Sequence, residues 1–581
     1  MRATRDRRPR LLARAVPALT FVAALTVQGL AVTAQAEEPA PAPTGTPAGT
    51  PAGTPDRPAE PGAEMGQEQR SEQAEETLEE VQAILSGQGE PAATGGTPAD
   101  PGTLPPGRLA EAAEPEAHLS LALRDLGMQL DDLGPADRRE ARRILARPTS
   151  SYQGDYISYL AGAELKTSCG PQVCVHWVDE APARGRDDTP PRADTDGDGV
   201  PDQVQLTLRT FENVRKRTVA MGYRPPLVDD VDVADPDARG RFDVYLADLG
   251  SLRPFPLFGY CAWESKAGYD YAGAGYCVVD NDFSARQFKA PPRKSLRETI
   301  AHEFFHAVQF AYDAVEDLWF MESTATWIED ELYDRANGNR NYLDESQLAF
   351  PNLPIDDPLG RYGNWVFMRW LSERFGPSIV LQAWRQADSV AGPDKWGLQA
   401  IDTALRARGT TLAAQLPRYA VDLRFAKRTF EEGGESKLWR PASAGQRIGL
   451  SRQAPVSQVQ RLVVRQTGSQ SLVVPTRDAT SGMRRLVVAV KTPARARGVR
   501  VKLVQVRSNG KRVVRPVKVD KRGSGTARIG FVRSNVDRVL VLATATSYRM
   551  VCWQRPPTGF SCDGARVDDN LPVAVQVAGR R

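Results

Sequence analysis

Histidine is nearly absent from this chain, with 4 in 581 residues and none beyond His306. A metal centre built on imidazole must use those few, and a third, downstream histidine ligand is excluded. Cysteine is sparse as well: there are 6, none before Cys169 and none spaced as Cys-x-x-Cys. That pattern argues against redox or structural-zinc use of the thiols and excludes an N-terminal thiol that could cap a metal. Aromatic residues make up 7% of the chain and form no stacking platform, and the net charge is only +3. Nucleic acid therefore has no footprint here. After Val32 no uninterrupted apolar run approaches the about 20 residues that a membrane-spanning helix needs.

What precedes Val32 has the pattern of an export signal. Arginines at 2, 5, 7, 8, 10 and 14 lead into the apolar run Ala15–Val32, and Ala34-Gln35-Ala36 follows as a small-residue cleavage pattern. Residues 1–36 are expected to be a secretory signal peptide; Pro17, Gln28 and Gly29 count against a retained anchor. The mature chain is then extracellular, with no transmembrane segment. The cysteines fall into three close pairs, Cys169/Cys174, Cys261/Cys277 and Cys552/Cys562, and short-range closure makes these the expected disulfides.

The composition divides the rest. Residues 37–108 are rich in Pro, Ala, Gly, Thr and Glu and read as a disordered linker with one short helix at Glu76–Leu85. Residues 109–150 form a helical pro-segment or cap, with leucine periodicity from Leu119 to Leu133 and a helix over Pro135–Ala146. His118 reads as a surface residue there. Residues 151–438 carry the expected catalytic domain. Its elements are a strand at Gln172–Asp179, a helix at Gln203–Met221, and strands at Leu227–Val233, Arg241–Leu249, Phe258–Trp263 and Gly275–Asp280. Residues 439–581 hold short Val-rich runs between Gly, Ser, Asn and Pro, which predicts an all-β sandwich.

The densest chemistry follows the last of those catalytic-domain strands. Glu298–Phe310 contains His302-Glu303-Phe304-Phe305-His306 with no helix breaker. On a helix the two imidazoles leave one face a turn apart, where they can hold a divalent ion with bonds of about 2.0–2.1 Å. Glu303 can reach a water on that ion without being a ligand, and such a water has a pKa of about 7. A third ligand must be a carboxylate. Leu318–Tyr333 reads as a helix with Glu322 near its start; Glu316, Glu329, Asp330 and Glu331 are rivals, and Glu329 is better placed to bond a histidine ring. The oxyanion formed at a carbonyl needs a donor. Tyr362, after the loop Pro358–Arg361, is the first choice, with Tyr342 and Tyr333 as alternatives.

His-Glu-x-x-His followed by a Trp-rich helix opening on Glu resembles the gluzincins, zinc peptidases of the thermolysin and aminopeptidase kind. The resemblance is closer still to a family of uncharacterised secreted bacterial metalloproteases, over roughly residues 150–440. It implies His302, His306 and Glu322 as zinc ligands, Glu303 as general base, and an α+β zincin-like fold: a mixed sheet, an active-site helix and a helical second half. The strand near Phe258–Trp263 would then be the edge along which a peptide substrate lies. One departure is visible: Glu322 follows His306 by 16 positions, a few fewer than in the thermolysin pattern, which requires a tight turn at Glu316-Asp317.

A second cation is expected earlier. Asp194, Asp196, Asp198 and Asp202 occupy positions 1, 3, 5 and 9 of a calcium-type loop with Gly199 at position 6; position 12 is Gln205 instead of a bidentate Glu. In the C-terminal region, Lys491–Leu540 carries 15 Lys/Arg against 2 Asp, a basic face that could meet an anionic cell-surface polymer. The leading expectation is a secreted zinc endopeptidase acting on protein or peptide. The alternatives are a cell-surface binding protein with an inactive zincin domain, and a zinc hydrolase of a non-peptide bond.

Overall fold

The computed structural model describes residues 66–86, 119–149, 157–159, 162–181, 186–228, 239–252, 256–265, 269, 271–437, 439–478, 482–554 and 557–581. The expected signal peptide, His118 and most of the expected linker lie outside them. One part of that linker stretch is a longer helix than Glu76–Leu85: α1 (Gln67–Ser86) buries Ala74, Leu78, Val81 and Leu85. Their spacing of four, three and four draws one apolar stripe, which packs on α2 (Leu119–Met128). Gln67–Ser86 is thus a packed element. α3 (Pro135–Ile144) opens on proline at its first position, where the missing N–H costs nothing.

A five-stranded sheet follows, built from β1 (Lys166–Cys169), β2 (Val173–Trp177), β3 (Phe242–Ala247), β4 (Gly259–Ser265) and β5 (Gly273–Asp280). Its spatial order is β1-β2-β3-β5-β4, with β2, β3 and β5 parallel and the two outer strands antiparallel to their neighbours. β1 was not anticipated; it is a four-residue partner of β2, joined by the Cys169–Cys174 disulfide. Of the strand expected at Leu227–Val233, residues 229–233 lie outside the described residues, and Leu227 makes a single bridge to Ala274.

Alternation sorts the strands' side chains. Phe242, Val244, Leu246, Cys277 and Val279 face a core shared with α4 (Asp202–Ala220) and α6 (Pro292–Phe310), which follows the single turn α5 (Ala285–Phe288). Tyr245, Ala247, Tyr260, Ala262, Tyr276 and Val278 face the other way and are covered by α1–α3. Arg147, just past α3, fixes that layer by ion pairs to Asp243 (2.6 Å) and Glu264 (2.7 Å).

The first core continues through α7 (Leu318–Tyr333) into α8 (Trp365–Phe375), α9 (Ser378–Ala387), α10 (Gly397–Ala407), α11 (Leu412–Leu423) and the single turn α12 (Ala426–Thr429). The C-terminal region is β-rich. Arg512–Val517, Val499–Arg507, Val536–Ala545, Ser469–Pro475 and Gln446–Arg447 form one sheet, in that order. Ser524–Gly530, Arg485–Lys491, Leu571–Arg580 and Gln460–Val464 form another. The inner faces of both contribute to one core of Val, Leu and Ile, while α11 covers the outer face of the first through Ala420 and Val421 against Val504, Leu540 and Leu542. All three expected disulfides are present: Cys169–Cys174, Cys261–Cys277 and Cys552–Cys562. Among the described residues no helix is long and apolar enough to cross a membrane.

Candidate metal centre

α6 runs unbroken beneath β4 and β5. One turn separates His302 from His306, and their ring centroids are 4.9 Å apart. The chain then reverses at Glu316-Asp317, and α7 returns alongside α6 with Glu322 in its second turn. Glu322 Oε2 lies 3.2 Å from His302 Nε2 and 3.6 Å from His306 Nε2. These three residues each offer one ligand atom, all within 4.8 Å of one another.

The surroundings decide which ring nitrogens carry protons. Gln309 Nε2 donates to the Met321 carbonyl (2.9 Å) and to Thr324 Oγ1 (3.1 Å). Its Oε1 therefore faces His306 Nδ1, 2.8 Å away, as an acceptor. Nδ1 holds the proton and Nε2 a lone pair. Glu329 Oε1 lies 2.7 Å from His302 Nδ1, and as a carboxylate it accepts there and favours the same tautomer. Two imidazole lone pairs and a carboxylate oxygen thus converge with no proton between them, and Glu322 and His306 are each 1% exposed. Such a group requires positive charge at its focus, from a divalent cation or from a further proton on a ring. Where a proton supplies it, burial opposes a charged His302, yet Glu322 and Glu329 outweigh burial and raise it well above its ordinary value. Burial likewise opposes the charge on Glu322, and the neighbouring histidines outweigh it and hold the carboxyl far below the usual range.

Glu303 sits beside His302 with Oε2 accepting from Ser120 Oγ at 2.7 Å. Burial pushes its pKa up, against the lowering influence of His302 and His306. Tyr362 is 3% exposed; its ring stacks on His302 at 6.0 Å and on Tyr342 at 4.9 Å. Burial and the adjacent Glu322, to which its hydroxyl bonds, drive the phenol well above 10, so it remains a donor. Tyr333 stands elsewhere, near Asn213 and Arg217.

The rival carboxylates are engaged away from the two rings, Glu329 excepted. Glu316 accepts from Gly397 N (2.9 Å) and Asp317 N (2.7 Å), and Asp330 and Glu331 pair with Arg369. Two residues at the centre escaped the sequence reading. Gln309 lies three positions after His306, so its place on that helix face was available from spacing; Ser120 lies 183 positions from Glu303, and no local signal connects them. The remaining described histidine, His176, is buried against Asp243 and Thr167 within the sheet.

Asp194, Asp196 and Asp198 also bring ligand atoms together, all exposed. Asp202 is turned to the Thr195 backbone N–H (3.0 Å) and hydroxyl (2.5 Å), and Gln205 donates to Asp196 and Asp198. A third group, Asp330, Asp334 and Glu432, is laced by Arg369 and Arg340.

No family model matches the chain, and no curated protein matches it. Among solved structures, it is similar to a family GH115 4-O-methyl-α-glucuronidase with specificity for decorated arabinogalactans, at 9% identity and a TM-score of 0.13, over 62% of this chain and 54% of that one. The chain spans about half the length of that protein, and a likeness so slight carries no argument.

Proposed function

We propose that the chain is an exported zinc-dependent endopeptidase of the gluzincin kind. The observation that carries this reading is the convergence of His302 Nε2, His306 Nε2 and Glu322 Oε2, with both ring tautomers set by Glu329 and Gln309. Two imidazoles and one carboxylate suit zinc and leave a coordination position open. A mixed sheet with an antiparallel edge strand, α6 below it and α7 returning with Glu322 supports a zincin-like arrangement. Three disulfides are compatible with secretion.

When bound, zinc supplies Lewis acidity that polarises the scissile carbonyl and makes water acidic enough to react. Glu303, buried and beside the ligand face, takes a proton from the attacking water and passes it to the leaving amine. Tyr362 donates to the oxygen that gains charge. The loop Asp194–Asp198 is proposed to take calcium as a structural pin before α4, with Asp202, expected as a fourth ligand, instead supporting the loop through the Thr195 amide and hydroxyl.

The test is metal content and proteolysis on the purified mature chain. The parent should hold one zinc and digest casein until a chelator is added. Glu322→Ala should bind zinc at least about 100-fold more weakly, beyond the effect of losing a supporting residue. Glu303→Gln should keep the metal and lose turnover; a variant digesting casein at the parental rate would sink the mechanism.

A further inference from the structure

β4 is an edge strand, and one of its outward backbone donors, the Cys261 N–H, already has a side-chain partner. Asp280 N donates to the Phe258 carbonyl at 3.0 Å, and the register then places Tyr260 opposite Val278 and Cys261 opposite Cys277. Antiparallel pairs alternate, so the N–H and C=O of Gly259, Cys261 and Trp263 point away from β5. Cys261 N–H makes its outward bond to Ser120 Oγ at 2.9 Å. The same hydroxyl donates to Glu303 Oε2 at 2.7 Å. A peptide adding to this edge would accept from Cys261 N–H through a backbone carbonyl, and a water awaiting deprotonation would donate to Glu303. Ser120 satisfies both groups at once.

The rest of α2 follows from that contact. It lies along β4 as far as Gly127, where an added Cβ would come within 3.2 Å of the Trp263 ring. It also reaches α7 and the turn before it: Arg124, 4% exposed, donates to the Ala314 carbonyl at 2.8 Å and lies 3.1 Å from the sulfur of Met321, the residue before Glu322. A helix that only shielded a strand edge from other chains would need neither the bond to Glu303 nor the anchor to α7.

We propose that α2 is an intramolecular occupant of the substrate groove, so that this conformation is a latent one. An extended peptide adds to β4 once α2 has swung off the edge. The proposal rests on the peptidase reading above, because the edge and Glu303 form one surface only if a peptide is cut there.

Ser120→Ala removes both bonds while favouring the helix, and Arg124→Ala removes the anchor to Ala314 and Met321; thermal unfolding checks that each folds. In the full chain, zinc content is measured first, followed by the affinity for a tripeptide hydroxamate and hydrogen exchange over Tyr260–Trp263. Both variants should bind the hydroxamate at least about tenfold more tightly than the parent, hydrolyse casein faster, and exchange this segment faster until the peptide is added. Equal or weaker peptide binding in both folded variants overturns the occlusion, and a parent that still holds zinc and digests casein would leave the peptidase reading standing. Tighter peptide binding by variants that hold no zinc would keep the occlusion and remove the peptidase.

Discussion

Gln309 does for His306 what a carboxylate does for His302, and the two are not equivalent. A neutral amide fixes the tautomer without adding charge, whereas Glu329 also makes its ring more basic. Gln309→Leu should weaken zinc binding by about 10–100-fold with the fold intact, read by competition with a chromophoric chelator. Tyr362→Phe keeps the ring that stacks on His302 and Tyr342 and loses only the hydroxyl. It should lower kcat by about 100-fold with zinc still bound; an unchanged kcat would leave the hydroxyl as a partner of Glu322 with no part in turnover. At this scale the sequence exposed His302, Glu303, His306 and the carboxylates in question, because local spacing states them. Ser120 was invisible because only the fold brings it near Glu303.

α6 carries a buried carboxyl as well as the two histidines. One turn before His302, Glu298 is pushed up to about 7 by burial and then by Glu329, with Lys294 opposing. Its folded pKa lies above the unfolded value near 4.5, so its contribution to stability is fully present below about pH 4.5 and is lost as pH rises through about 7. Parent stability should therefore fall relative to Glu298→Gln across that window, by at most about 3 kcal/mol; denaturant unfolding at several pH values checks it. The turn before α8 depends on close approach. A Cβ on Gly363 would come within 2.6 Å of the backbone at Glu345 and Ser346. Gly363→Ala should cost about 1–3 kcal/mol, seen as a lower unfolding midpoint, and should shift Tyr362 beside it. Strands β2 to β5 and the helices α4, α6 and α7 were legible in the sequence. β1 was not, since Lys166–Cys169 is short and half-buried. Leu571–Arg580 alternates buried with exposed or half-buried residues throughout, a pattern its sequence carries, while the apolar stripe of α1 is masked by its polar composition.

Across the whole chain, the change of character after Trp439 is not a change of body. Trp439 is fully buried against Trp365 and Phe430. Far downstream, Ser561 Oγ accepts from Trp319 Nε1 (2.9 Å) and Cys562 N donates to Asp317 (2.6 Å), both at the start of α7. Cutting the chain after residue 438 removes both attachments. Such a fragment should unfold at a lower temperature and release its metal faster than the full chain; equal midpoints and release rates would show that the helix bearing Glu322 needs no support from the C-terminal region.

The bridge between Cys261 and Cys277 clamps the sheet's outermost ribbon to its inner neighbour at the level of the outward-facing amide. A ribbon so clamped cannot slide by one residue, a slip that would turn every side chain to the opposite face. An arriving polypeptide would meet a fixed ruler, and the phase of its side chains would be dictated by graduations already in place.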